Sequence, residues 1–339
     1  MQIAVLGATG VVGQEILSVL EQRRFPVTSL RPLASARSAG RTVTFRAETL
    51  EVEPAGPDSF SGIDLVLASA GAAVTRQLAP AIRRAGAVLI DNSSAFRMDP
   101  DTPLVVPEVN GDTATRHNGV IANPNCVAII LTVATAPIHR AVGIRRIVVS
   151  TYQSASGAGL AAMRELESQT KDVLDGREAS PKALPHQIAF NVFSHNTAIG
   201  PDGYNGEEAK VMAETRKILA HPDLAITATC VRVPVLRAHA ESINLSLERP
   251  LSPERARTLL AQAAGVEIVD DRDGNRFPMP TIASGRDAVY VGRIRRDLSQ
   301  PEGLGLDLFV CGDQLRKGAA LNAVQIAEVL AAVRQPARS

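Results

Sequence analysis

The chain has 339 residues, of which 45% are hydrophobic and 21% charged, and it carries a net charge of +1 at neutral pH. That length suits two domains with separate cores, and the balanced charge leaves no basic face for nucleic acid and no acidic tail. With no Trp and only three Tyr, an aromatic base-stacking platform is also excluded.

The chain enters an apolar strand at once, over residues 3–6. No basic stretch leads into an apolar one, and no apolar run reaches 18 residues, so we expect a cytoplasmic protein with no membrane partner. A helix follows over 11–22, with Val12, Ile16, Leu17 and Leu20 on one face. Strands are expected at 27–33 and 63–68, a helix at about 73–84, and strands at 87–91 and 120–122. This alternation indicates a parallel sheet with helices on both faces. From about residue 145 the pattern changes. A strong strand at 145–152 precedes a charged helical stretch at 159–178 and a loop-rich region at 181–204. Strands recur at 225–235, 241–247, 288–295 and 305–311, which indicates an α+β domain with a mixed or antiparallel sheet. An Ala/Leu/Val-rich helix over 318–334 is expected to pack back on the first domain. We therefore expect an α/β chain of two domains. Residues 1–125 form a Rossmann-type nucleotide-binding domain, completed by a C-terminal helix within 318–339. Residues 126–317 form a catalytic and dimerisation domain.

The run Gly7-Ala8-Thr9-Gly10-Val11-Val12-Gly13 follows the first strand and opens the first helix. Its GxxGxxG spacing serves the same physics as the dinucleotide fingerprint. Glycines permit a tight turn and close backbone approach, and the helix N-terminus faces a pyrophosphate. An NAD site has an acid at the end of the second strand. Here that stretch holds Ser35, Arg37 and Ser38 and no acid, which suits the 2′-phosphate of NADP.

Three cysteines without CxxC spacing indicate free thiols in a reducing compartment, and six histidines without ligand spacing predict no metal. Cys126 stands apart. It ends a tight turn and starts an apolar helix, where the macrodipole favours a nucleophilic thiolate. The bland alternative is a buried structural cysteine. A thiol nucleophile beside a dinucleotide domain suggests aldehyde-level oxidoreduction through a thioester or thiohemiacetal. It needs a base, and an anionic substrate needs arginines. Arg232 and His239 are candidates. Seven residues apart, they would face opposite sides of an ideal strand, but Pro234 argues for an interruption that lets both reach one pocket.

Four ordered motifs carry a resemblance to aspartate-semialdehyde dehydrogenases. They are Asn123-Pro124-Asn125-Cys126, the run 152–159 (Tyr-Gln-Ser-Ala-Ser-Gly-Ala-Gly), the run 232–239, and the run 315–324 (Leu-Arg-Lys-Gly-Ala-Ala-Leu-Asn-Ala-Val). The resemblance implies Cys126 as nucleophile, His239 as acid/base and Gln153 as the residue orienting the acyl intermediate. It implies Arg232 for the substrate carboxylate, and Arg97 for phosphate with Asn125 and Lys210 assisting. Glu207 would hold the substrate amino group. To the cofactor contacts it adds Ser69, Ala70, Ser156, Gly157 and Asn322. By themselves, Glu207 and Lys210 would read as a helix-surface ion pair and Arg97 as a solvated loop charge. Ala72 and Gln314 depart from the family's common Gly and Asn.

The implied reaction is NADP-dependent reductive dephosphorylation of L-4-aspartyl phosphate to L-aspartate 4-semialdehyde, feeding lysine, threonine and methionine synthesis, by a homodimer. The nearest alternative is an N-acetyl-γ-glutamyl-phosphate reductase, whose family reads Asn-Pro-Gly-Cys where this chain has Asn125. A catalytically silent paralogue acting as a binding protein would be expected to lose Cys126, Arg232 or His239.

Overall fold

The computed structural model describes residues 1–334. The chain forms two compact units: Met1–Asn125 with the segment from Gly318 onward, and Cys126–Lys317.

In the first unit, β1 (Gln2–Leu6) leads through the glycine turn into α1 (Val11–Gln22). Residues 3–6 of β1 are buried on both faces, as the centre of a parallel sheet requires. β2 (Ser29–Ala34) is followed by a small antiparallel hairpin, β3 (Thr42–Phe45) and β4 (Glu48–Glu51). Its two-residue turn places Arg46 and Ala47 at φ 49° and 64°, the left-handed pair of a type I′ turn. Neither is Gly, Asn or Asp, so the sequence gives no hairpin signal there. Then come β5 (Glu53–Pro54), β6 (Leu65–Ala68), α2 (Ala72–Arg84), β7 (Val88–Asp91), the short α3 (Pro107–Asn110) and β8 (Val120–Ala122). The six strands run parallel in the order β5-β2-β1-β6-β7-β8. The order reverses at β1, and such a switch point opens a crevice at the strand C-termini.

The second unit opens on α4 (Cys126–Val142), then β9 (Ile144–Gln153) and α5 (Leu160–Leu174). β10 (Phe193–Ser194), α6 (Gly206–Ile218), β11 (Ala225–Arg232) and β12 (His239–Leu247) follow. α7 (Pro253–Ala261), β13 (Val266–Ile268), α8 (Pro280–Ala283), β14 (Val289–Arg296) and β15 (Gly305–Gly312) complete it. The seven-stranded sheet is mixed, in the order β10-β11-β9-β12-β15-β14-β13. β11 runs parallel to β9, while β12 is antiparallel to both β9 and β15. α4 covers one face with an almost wholly buried run. Gly312 admits it closely, since a Cβ there would lie 2.8 Å from Ile130 Cγ1.

α9 (Leu321–Arg334) returns the chain to the first unit, packing Leu321, Val324 and Leu330 into the core around Ile3, Ile16 and Leu20. The turn before it, Arg316–Ala320, is π-helical, so the regular helix begins three residues later than the sequence pattern suggests. Residues 335–339 of the expected terminal helix lie outside the described residues. Among the described residues, no helix is long and apolar enough to cross a membrane.

Candidate active site

The glycine turn makes a cradle that side chains would fill. Gly7 has φ 88°, and a Cβ on it would lie 2.4 Å from the Ser69 carbonyl oxygen. A Cβ on Gly13 would lie 2.2 Å from the Gly7 oxygen. The backbone therefore folds this tightly only with glycine at both positions. Above the turn lies a cleft of about 520 Å³ lined by Gly7, Thr9, Gly10, Ser35, Arg37, Ser69 and Ala70. Val74, Gln77, Gly56 and Pro57 also line it, and sequence reasoning did not name them. Among the described residues, no acid lines the cleft. Val11, Val12 and Gly13 form the first turn of α1 beside it. Ser38 closes the one-turn helix Ala36–Ser38 that carries Arg37. This set fits a dinucleotide with a phosphate near Arg37.

Asn322, an expected cofactor contact, and Arg97, the expected phosphate residue, share one buried hydrogen-bonded loop. Asn322 is fully buried and does not line the cleft. It donates to the Val105 carbonyl at 2.9 Å and to Asn123 Oδ1 at 2.7 Å. Asn123 in turn donates to Asn92 Oδ1 at 2.9 Å. Arg97 is buried rather than solvated, donating from Nε to the Asn123 carbonyl and from Nη2 to the Asn92 carbonyl. Asn322 thus braces the loop that holds Arg97. Asn125 is buried at the end of the same unit. Ala72 is simply the first residue of α2, a helical position that needs no glycine.

The second unit brings three of the expected site residues onto one sheet row. β11 and β9 pair Arg232 with Gln153, and β9 and β12 pair Tyr152 with Ala240. Arg232, Gln153 and His239 therefore share a row and, by the two-residue period of strands, a face. The expected strand 225–235 stops at Arg232, because the chain turns through Pro234 before β12 begins at His239. A Cβ built on Gly157 would lie 3.0 Å from Arg232 Nη1 and 3.1 Å from His239 Cε1. Both side chains thus reach one small space.

His239 is fully buried, and its pKa is lowered to about 3 by burial and then by the Arg232 charge. It is neutral at working pH. The Ser154 backbone N–H donates to its Nδ1 at 3.1 Å, so the ring proton belongs on Nε2. That Nε2 has no hydrogen-bond partner among the described residues. Gln314, expected to bear on cofactor geometry, clamps this corner. It accepts from the Ala238 N–H at 2.9 Å and donates to Ser156 Oγ. Ala238 needs the anchor, because its φ is 73°, a strained value for a residue with a Cβ.

Gln153 Nε2 donates to Glu207 Oε1 at 3.1 Å. Glu207 lies in the first turn of α6, where the Asn205 side chain caps the helix by accepting from the N–H groups of Glu207 and Glu208. Lys210 Nζ is 3.7 Å from Glu207 Oε2. The i,i+3 pair exists, but Glu207 is buried toward Gln153, so it is not a surface pair.

Cys126 is the first residue of α4 and partly exposed, whereas Cys230 and Cys311 are buried. Burial pushes the Cys230 thiol up to about 12 and the Cys311 thiol further still. Burial lowers the pKa of the Arg232 guanidinium, and negative charge on Cys126 and then on Glu207 opposes that shift. The chemistry in reach is attack by a thiolate stabilised by a helix N-terminus and a guanidinium.

Residues 2–117 match the semialdehyde dehydrogenase NAD binding domain, and residues 135–317 match the semialdehyde dehydrogenase dimerisation domain. An aspartate-semialdehyde dehydrogenase from Synechocystis is 54% identical over 330 residues, 97% of each chain. The chain belongs to the aspartate-semialdehyde dehydrogenase family. The Bacillus subtilis member is 46% identical, covering 97% of each chain. A crystal structure of aspartate-semialdehyde dehydrogenase II from Vibrio cholerae superposes with a TM-score of 0.94 at 44% identity, covering 98% of both chains. A second structure from that organism, complexed with ASA, gives 0.94 at 43% identity over 99% of both.

As in a family of NAD(P)-binding and dimerisation domains, the first unit carries the parallel sheet and the second the mixed seven-stranded one. Sequence reasoning missed His195, which lies in the loop-rich region. Its Nε2 accepts from Arg232 Nη2 at 2.8 Å, and no motif marks it. The Asn205-to-Glu208 capping box was legible as a helix start. It would have fixed the position of Glu207 on the first turn.

Proposed function

We propose that this oxidoreductase reduces L-4-aspartyl phosphate to L-aspartate 4-semialdehyde with NADPH, through a thioester on Cys126. Family membership places it in aspartate-family amino-acid biosynthesis. The observation that carries the mechanism is the single row of Arg232, Gln153 and His239, with Cys126 at a helix N-terminus electrostatically coupled to Arg232.

In this reading, Arg232 binds the substrate α-carboxylate and Glu207 its ammonium, which fixes the acyl group over Cys126. The Cys126 thiolate attacks the acyl carbon, and inorganic phosphate leaves toward Arg97, assisted by Asn125 and Lys210. Gln153 orients the thioester. The nicotinamide, when bound, supplies the hydride that reduces it. His239 Nε2–H donates a hydrogen bond to the acyl oxygen as charge develops there, and the oxyanion then collapses to the aldehyde as Cys126 leaves as the thiolate.

NADP is favoured over NAD because Ser35 and Arg37 line the cleft where an NAD site would hold an acid. A relative complexed with ASA supports aspartate semialdehyde as product. The matched dimerisation domain supports a homodimer. Free thiols support a cytoplasmic location.

The test is turnover in the phosphate-dependent direction. Aspartate semialdehyde with NADP and phosphate should give NADPH, while N-acetylglutamate semialdehyde should give none. Turnover of the N-acetyl substrate alone would sink the assignment.

A further inference from the structure

One row beneath the catalytic row lies a second polar row. Moving two residues along each strand, β11, β9 and β12 place Cys230 beside Thr151 and Thr151 beside Glu241. All three are fully buried, on the face that carries Arg232, Gln153 and His239. Thr151 is tied to the row above, since its Oγ1 donates to Gln153 Oε1 at 3.2 Å. Glu241 is the anomaly. Neither carboxyl oxygen has a hydrogen-bond partner among the described residues, and a buried acid left so is costly.

We propose that Glu241 is a positioning residue for Gln153, closing a buried hydrogen-bond chain from its carboxyl through the Thr151 hydroxyl to the Gln153 carboxamide and on to Glu207. This rests on the reaction proposed above. Residues directly opposite on antiparallel strands hold their Cβ atoms about 4.5–5.5 Å apart, a separation that the length of a Glu side chain can span to Thr151 Oγ1. Donor arithmetic gives the chain a direction. Thr151 also meets the Cys230 thiol; with its one O–H on Gln153 Oε1, it accepts from Glu241, and Glu241 donates. It does so as a neutral acid. Burial pushes its carboxyl well above the usual range, and among the described residues no cation opposes the shift. The side chains whose charge it affects are the thiols of Cys230 and Cys311. With Thr151 fixed from below, the Gln153 amide cannot flip. Its N–H₂ stays toward Glu207 and the acyl group, where a flipped amide would present an oxygen to a carboxylate.

The experiment measures kcat and KM for aspartate semialdehyde in the full-length enzyme bearing Glu241→Leu, Glu241→Gln or Thr151→Val, and Leu with Val combined. Wild-type turnover is the control for the reaction itself; its absence would refute that reaction and, with it, a positioning role in it. Given turnover, Glu241→Leu and Thr151→Val should each lower kcat about tenfold, the loss of one hydrogen bond worth about 1.4 kcal/mol, with KM within twofold. The double variant should be no worse than either single one. Glu241→Gln, which keeps a neutral donor, should recover most of the loss. If Glu241→Leu does not fold, Thr151→Val and Glu241→Gln carry the test alone. A Thr151→Val enzyme with unchanged kcat, a Glu241→Gln enzyme impaired tenfold, or single losses that multiply would each overturn the proposal.

Discussion

Arg232 donates from Nη2 to His195 Nε2 across 2.8 Å, while its Nη1 donates to the Ser154 carbonyl at 3.1 Å. His195 can accept only as the neutral ring, and burial lowers its pKa to about 4. A histidine is thus held neutral so that a buried guanidinium keeps a fixed orientation at full charge. The planar fork of Arg satisfies both partners at once, which a lysine ammonium cannot do.

Arg232→Lys should therefore raise KM for aspartate semialdehyde and lower kcat/KM by roughly 10- to 100-fold, the loss of one charge-assisted hydrogen bond worth about 1.5–3 kcal/mol. Steady-state kinetics checks this. An unchanged kcat/KM would remove Arg232 from substrate binding.

Alkylation should single out one thiol. Cys126 is partly exposed at a helix start, while burial pushes the Cys230 and Cys311 thiols up. Iodoacetamide at neutral pH should label Cys126 alone in the folded protein, read by peptide mass mapping, and activity should fall in step. Cys126→Ala should lose at least about 10³-fold in kcat while its thermal unfolding stays near wild type. Near wild-type turnover in that variant would rule out the covalent path.

Cofactor choice should follow Arg37. Arg37→Ala should raise KM for NADP about 10- to 100-fold and leave KM for NAD within twofold. Equal effects on both cofactors would show that Arg37 does not read the 2′-phosphate.

Stability should fall in mild acid. The pKa values of His195 and His239 are lowered to about 4 and about 3 in the folded chain, against about 6.5 when unfolded. Between these values the unfolded chain binds more protons. The stabilisation is complete above about pH 6.5 and drains away as pH falls toward 4. Glu241 has the opposite sign. Its raised pKa stabilises the fold below about pH 4.5, and that contribution is lost as pH rises toward the raised value. Urea midpoints between pH 4.5 and 8 measure the net slope. His195→Asn should flatten the slope below pH 6.5; an unaltered slope would mean that His195 does not titrate as placed.

Much of the fold was legible because periodicity reports burial. The doubly buried strand of residues 3–6, the amphipathic α1 and the glycine turn all lay open in the chain. The hairpin of β3 and β4 did not, since Arg46 and Ala47 adopt left-handed conformations that their side chains do not advertise. For the site, Pro234 told correctly that Arg232 and His239 need not lie on one strand. Nothing local told that β9 lies between their two strands and joins them into one row. That row depends on the register among strands far apart in sequence.

The sequence by itself determined the chemistry: a thiol at a helix start, a glycine cradle, a basic cleft rim and four ordered motifs. These depend on residue type and short spacing, which a linear chain displays. Only the tertiary structure decided which groups are charged and how they are aimed. It made His195 and His239 neutral, turned Glu207 from a surface partner into a buried one, and set Glu241 without a partner beneath Gln153. The physical reason is that protonation state and orientation follow from burial and from neighbours brought together by strand register, and neither exists until the sheet has formed.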